Sequence, residues 1–232
     1  MMAEDMARMG WRRFTHIMAA VAMLTALAGC GSDSGDEPGE PWRYDFVTYL
    51  GYADGVAHWQ YIGPDDADPV DLEATMAQPT QLRVGQRVLL SYTVTDSAHR
   101  IKVMGVNSGN VASDSLRVNV RPVEQYAKHP IRLGAIWRTG NYINLRCEVE
   151  YTGKPRALYM MADRATLSHD TIDVHLIHDL ISADTTYFWR TCYGSFYMGA
   201  AFGRQNCRAV RVHVEDLTYP SVKTYSFGAP KR

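Results

Sequence analysis

The sequence predicts an all-β chain, and three observations carry that reading. Apolar side chains recur at every second position in segment after segment. Helical spacing is hard to sustain anywhere past residue 41, the best candidate being DLEATMAQ (71–78), worth one or two turns. Tyr is abundant, with 14 copies, and Arg outnumbers Lys, a mix that suits β-surfaces. Strict alternation places successive side chains on opposite faces of a half-buried strand, whereas a helix needs a period near 3.6.

The first element is not a strand. Arg8, Arg12 and Arg13 precede an apolar run from Ile17 to Ala28, the charged and apolar regions of an export signal over residues 1–29. The run is shorter than the about 20 apolar residues that span a bilayer. It ends in LAGC (27–30), which resembles a bacterial lipobox and makes Cys30 the expected lipidated N-terminus. From Gly31 to Pro41 there are four acidic residues, three glycines, two serines, two prolines and no apolar side chain. Such a segment cannot bury enough surface to offset its chain entropy, so residues 30–41 read as a flexible acidic tether. Acidic residues just after a lipidated Cys also resemble the surface-export signal of Bacteroidetes lipoproteins.

The remainder is long enough for one large or two small domains. The chain has 24 basic and 25 acidic residues; residues 1–41 hold three of the former and six of the latter, leaving 21 against 19. So balanced a body lacks the basic face that nucleic acid requires, and no nucleic-acid partner is expected.

Strand by strand, RVLLSYTVTD sets Val88, Leu90, Tyr92 and Val94 against Arg87, Ser91, Thr93 and Thr95. SLRVNVR alternates Leu116, Val118 and Val120 with Arg117, Asn119 and Arg121. YINLRCEVEY turns Ile143, Leu145, Cys147, Val149 and Tyr151 inward, and Asn144, Arg146, Glu148 and Glu150 outward. RVHVED repeats the scheme with Val212 and Val214. A polar segment with two prolines, PVEQYAKHPIRLG (122–134), is the expected boundary. Residues 42–123 then suit a small OB-like barrel. Residues 124–232 suit an immunoglobulin-like β-sandwich.

Four segments carry a family resemblance: WRYDFVTYLG (42–51), VGQRVLLSYTV (84–94), IWRTGNYINLRCEVEY (136–151) and VHLIHD (174–179). In order and spacing they resemble the NigD-like lipoproteins of Bacteroidales, the Trp-x-x-Gly-x-Tyr-Ile-Asn run at 137–144 being the most specific. The resemblance implies a lipobox, an OB-type domain and a C-terminal sandwich. It also implies a bacteriocin-associated setting, and it carries no enzymatic activity. The family places Arg before and Asn after the His of VHLIHD, where this chain has Ile177 and Asp179, so no role is transferred to His178.

Catalytic signatures do not stand out. The sequence lacks a Gly-x-Ser-x-Gly elbow, a phosphate loop, His-Glu-x-x-His and Cys-x-x-Cys, so no enzyme is expected. In SHDTIDVHLIHD (168–179), Asp173 and His175 share a strand face and could supply two metal ligands. Ile177 follows on that face, His178 points the other way, and no Cys or Glu completes the set. Neither a metal nor a cofactor is expected. Cys147 reads as a small buried hydrophobe. Cys192 and Cys207 either close a hairpin as a disulfide or stay thiols, the outward phase of Cys207 favouring thiols.

Aromatic residues remain as a binding signal. Trp42, Tyr44, Tyr49, Tyr52, Trp59 and Tyr61 crowd the first strands; Tyr187, Phe188, Trp189, Tyr193, Phe196 and Tyr197 crowd a later segment. Rings with polar tips suit stacking on sugars or anchoring a protein interface. The candidate contacts are Trp42, Tyr44, Trp59, Tyr61, Trp189 and Tyr193. The expectation is a non-enzymatic outer-membrane lipoprotein, surface-exposed, held to the membrane by its N-terminal lipid. It binds an envelope protein or, as the alternative, a glycan. Coplanar exposed rings would favour the glycan.

Overall fold

The computed structural model describes residues 41–231 apart from 65, 97, 98, 155 and 182–187. The expected signal segment, Cys30, the tether up to residue 40 and Tyr187 lie outside the described residues. The described residues form one compact unit.

Five strands come first: β1 (Arg43–Ala53), β2 (Val56–Tyr61), β3 (Val70–Thr75), β4 (Arg87–Val94) and β5 (Ile101–Asn107). They form a sheet in the order β3-β2-β1-β4-β5. A parallel bridge between Glu73 and Arg100, with the Glu73 N–H donating to the His99 carbonyl at 3.3 Å, brings β3 against the start of β5. The sheet thus curls on itself with the strand neighbours of an OB-type barrel. Val47, Tyr49, Trp59, Leu72, Val88, Leu90 and Tyr92 fill its interior.

β3 replaces the helix expected over 71–78. Leu72 and Ala74 are buried while Asp71, Glu73 and Thr75 are exposed, a period of two that β2 reads by pairing along its whole length. Pairing outweighs the helical preference of Glu, Ala and Met.

The second part holds β6 (Val111–Ser115), β7 (Arg117–Val118), β8 (Arg132–Thr139), β9 (Tyr142–Tyr151), β10 (Ala157–Ala162), β11 (Thr171–Asp179), β12 (Phe188–Tyr197), β13 (Ala209–Val214) and β14 (Lys223–Gly228). Two sheets result, β6-β12-β9-β8 and β14-β13-β11-β10-β7. Ile143, Leu145, Val149, Ile172, Val174, Phe196, Val210 and Val212 fill the space between them. The expected all-β class is what the chain adopts: a five-stranded sheet curled on itself, then a two-sheet sandwich.

The sheets divide between Asn107 and Val111 rather than at 122–134. β6 and β7 lie upstream of that segment, yet they run parallel to β12 and β10 of the sandwich. The sequence VASDS has no apolar alternation, so backbone hydrogen bonding to an open edge, rather than a buried face, assigns β6. The segment 122–134 is instead a connection along the sandwich, where Ile131 bridges Asp216. SLRVNVR contributes only the last residue of β6, Ser115, and the two of β7, and Val120, expected inward, is 85% exposed. Asn119 is buried in its place, its amide donating to the Arg121 carbonyl at 3.0 Å and its oxygen accepting from the Arg164 N–H at 2.6 Å.

Candidate functional site

Residues i and i+2 share a face of a strand. Val47 and Tyr49 of β1 point into the barrel, so Tyr44, Phe46 and Thr48 point out of it. Arg87 and Leu89 of β4 stand opposite Thr48 and Phe46 and share that outer face. In the sandwich, Trp137, Asn144 and Ser195 are cross-strand neighbours, as are Arg146 and Tyr193. They form the outer face of the four-stranded sheet, since Leu145, Cys147 and Phe196 take the inner one. The two outer faces meet, and where they separate they enclose a cavity of about 400 Å³.

Five aromatic side chains line that cavity. Tyr44, Phe46 and Tyr61 come from the barrel, Trp137 and Tyr193 from the sandwich, with Ile62, Pro64, Leu89, Asp45, Asn144 and Arg146 completing the wall. The Phe46 ring lies 5.9 Å from that of Trp137, tilted by 42°, and 6.4 Å from that of Tyr193 at 75°. Tyr44 meets Tyr193 edge-on at 6.1 Å and 77°. Edge-to-face packing satisfies the ring quadrupoles and holds the rings in fixed, non-parallel planes. Burial raises the pKa of the Tyr193 phenol, as does its neighbour Tyr44. Asp45, which accepts from the Tyr92 hydroxyl at 3.0 Å, and Arg146 are the acidic and basic residues of its lining.

An ion pair fixes one wall. Arg138 of β8 binds Asp66 in the loop after β2 and also donates to the Gly140 carbonyl at 2.8 Å. That pairing holds the Asp66 carboxyl below the ordinary range. Gly140 sits at φ 50° with the Ile62 side chain 3.0 Å from where a Cβ would stand. A side chain there would strain the turn and press on a residue of the cavity wall.

The six aromatic candidates fare differently. Tyr44, Tyr61 and Tyr193 converge on the cavity. Trp42 is 70% exposed and outside it. Trp189 lies under the Arg132 guanidinium at 4.1 Å and does not line it. Trp59 is fully buried against Tyr49, with ring centroids 5.0 Å apart, and so contacts no partner. Its position on the inner face of β2 puts it in the barrel core. Phe46, Trp137 and Arg146 join the cavity from outside those candidates, although Trp137 opens the most specific motif of the sequence.

The histidine-rich strand β11 is a structural network. Asp173 accepts from Arg211 Nε at 2.6 Å and Nη2 at 3.0 Å, and from His213 Nε2 at 2.8 Å. His175 stacks on His213 with ring centroids 4.6 Å apart, and burial chiefly, with His213 next, lowers its pKa to about 4. His178 and His129 face each other across reciprocal contacts to backbone carbonyls at 3.2 and 3.1 Å. Among the described residues, no three His, Cys, Asp or Glu side chains converge as metal ligands.

Asp173 carries a pH prediction. The Arg211 hydrogen bonds, aided by His213, hold its carboxyl down to about 2. A carboxyl depressed in the folded state adds stability that is full above its unfolded pKa near 4 and is lost as pH falls through about 2. Arg211 is half-exposed, so solvent screening cuts the contribution to about 1–2 kcal/mol. Asp173→Asn should lower stability by that amount at pH 7 and flatten the loss between pH 4 and 2. Denaturant titrations at several pH values would check it; equal slopes in parent and variant would refute it.

Neither a protein-family model nor a curated protein matches the chain. Solved structures do. A protein of unknown function, DUF1344, from Bacteroides vulgatus superposes with a TM-score of 0.62 at 12% identity, over 82% of this chain and 92% of that one. A protein described as a lipoprotein, from Bacteroides fragilis, reaches 0.58 at 10%, over 82% and 98%. A NigD-like immunity protein from Bacteroides caccae reaches 0.55 at 15%, over 80% and 96%. At such identities the likeness speaks for fold, and at that level it bears out the resemblance read from the sequence: this chain has the fold of a NigD-like immunity protein and of related Bacteroidales proteins.

Proposed function

We propose that this chain is a non-enzymatic envelope lipoprotein, anchored through Cys30 in the outer membrane, whose interfacial cavity holds an apolar side chain of a protein partner. One observation carries the reading. The rings of Tyr44, Phe46, Trp137 and Tyr193 are tilted against one another by 42–77°, so they make a slot and not a platform. A sugar face stacks on a ring that lies flat to it; a slot of crossed rings suits a side-chain anchor that becomes fully desolvated. The named fold relatives, an immunity protein and a lipoprotein, support the same setting, and an immunity-type role would make the partner a bacteriocin.

The test uses the full chain and its envelope. Labelled fatty acid should enter the parent and not Cys30→Ser, which should leave the membrane fraction. A photo-reactive residue replacing Tyr44 of the cavity lining should cross-link a protein, and one replacing Tyr225 of β14, which does not line it, should not. Trp137→Ala should weaken that capture by at least about 30-fold, as for an interface anchor worth 2 kcal/mol. Capture that ignores Trp137→Ala would refute the cavity as the site. Saturable binding of an oligosaccharide that Trp137→Ala abolishes would replace the protein partner with a glycan.

A further inference from the structure

Strands β9 and β12 run antiparallel with Cys147 directly opposite Cys192. The alternation along β12 says what kind of pair this is. The Tyr193 N–H donates to the Asn110 carbonyl at 2.9 Å, and the Tyr197 carbonyl accepts from the Leu116 N–H at 2.8 Å, so odd residues turn their backbone toward β6. Even residues, Cys192 among them, turn it toward β9. Cys147 and Cys192 are thus a hydrogen-bonded pair, for which the Cα atoms stand about 5.5 Å apart. That lies within the roughly 4.4–6.8 Å that a disulfide spans.

Both side chains project to one face, as opposed residues must, and both are buried, at 1% and 4% exposure. The two thiols are cross-strand neighbours in the same sheet. The Cys192 thiol lies 3.6 Å from the Asn110 carbonyl. It also lines an open groove of about 570 Å³ whose walls carry Lys154, Arg156 and Arg190. The adjoining Cys147 thiol, followed by Arg156 and Arg190, favours the Cys192 thiolate, while Cys192 in turn pushes the Cys147 thiol up. A thiolate in a basic, open groove is the attacking group; a protonated thiol behind it is the resolving one. Cys207 is differently placed, its thiol 3.4 Å from the Ala209 carbonyl just ahead of β13, a strand of the other sheet.

We propose that Cys147 and Cys192 form a reversible cross-strand disulfide, closed by a disulfide-bearing oxidant that enters through the basic groove. The Cys192 thiolate attacks one sulfur of the oxidant and expels the other as a thiolate. The Cys147 thiol, giving its proton to solvent, then attacks Cys192 Sγ and releases the second thiolate. Counted from the two thiols, two S–H bonds are lost and one S–S bond forms, and the two electrons and two protons convert the oxidant's disulfide into two thiols. Reversibility follows from the pair type. Its Cβ atoms stand about 5.5 Å apart, against about 3.8 Å in a relaxed disulfide, so closure pulls the strands together and the bond is easily reduced.

The experiment uses the full chain in a Cys30→Ser background, so that the three body thiols alone react. Reduced protein is exposed to oxidised glutathione, quenched with iodoacetamide and mapped without reductant. The expected product joins the Cys147 and Cys192 peptides with the loss of two hydrogens, leaves Cys207 alkylated, and reopens in excess reduced glutathione. Cys207→Ser should close as the parent does, and Cys147→Ser should halt as a glutathione adduct on Cys192. Three alkylated thiols after oxidation, a Cys192–Cys207 link, or a bond that resists excess reduced glutathione would each overturn the proposal.

Discussion

Arg87→Ala should destabilise the protein by about 3–4 kcal/mol, while Arg87→Met should cost about 1 kcal/mol. Arg87 is 2% exposed, and among the described residues no carboxylate pairs with it. Its Nε donates to Ser195 Oγ at 3.1 Å and its Nη1 to Thr48 Oγ1 at 3.2 Å. The guanidinium lies 4.2 Å over the Tyr142 ring. Ser195 passes the chain on to Asn144 at 2.8 Å, and Asn144 to Thr139 at 2.9 Å. One side chain of β4 thereby ties the barrel to β12, β9 and β8. Truncation to Ala removes those bonds and leaves a void where the stem was. Met retains most of the volume and removes a buried charge whose pKa burial lowers to about 10. Nη2 has no partner, so that charge is incompletely compensated. Denaturant midpoints of the two variants decide the matter; equal losses would mean that the charge, not the packing, holds the interface.

Trp59→Ala should cost about 3–5 kcal/mol and Trp59→Phe less than about 1.5 kcal/mol. The indole is fully buried in the barrel interior among Tyr49, Leu72, Leu90 and Tyr92. Removing it opens a void in a core of only a few large side chains. The indole Nε1–H, however, is buried with no acceptor. Phe loses part of the ring but also that unpaired donor, and the two terms oppose each other. Thermal or chemical unfolding would measure both. A Phe variant as unstable as the Ala variant would show that an acceptor satisfies the indole.

The β-strands were legible where one face met the core and the other met water. YINLRCEVEY shows it: Ile143, Leu145, Cys147 and Val149 are buried, and Arg146 and Glu148 exposed, as the alternation requires. Asn144 breaks the scheme, fully buried on the face expected outward. Arg87 on β4 does the same. Both lie where the barrel and the sandwich cover each other, and periodicity within a strand carries no information about what lands on its polar face. The same ignorance hid Phe46 and Trp137 as cavity residues and made Trp59 look like a contact.

By itself the sequence determined the all-β class and which residues of most strands face a core, because those follow from a local period of two. Tertiary structure alone decided the rest. It assigned β6 and β7 to the sandwich by edge hydrogen bonds that leave no side-chain pattern. It set Cys147 opposite Cys192 through strand register. It also brought Tyr44, Tyr61 and Tyr193 together in one cavity. Pairing partners, register and the docking of two polar-looking faces depend on residues far apart in the chain, and a local pattern cannot encode them.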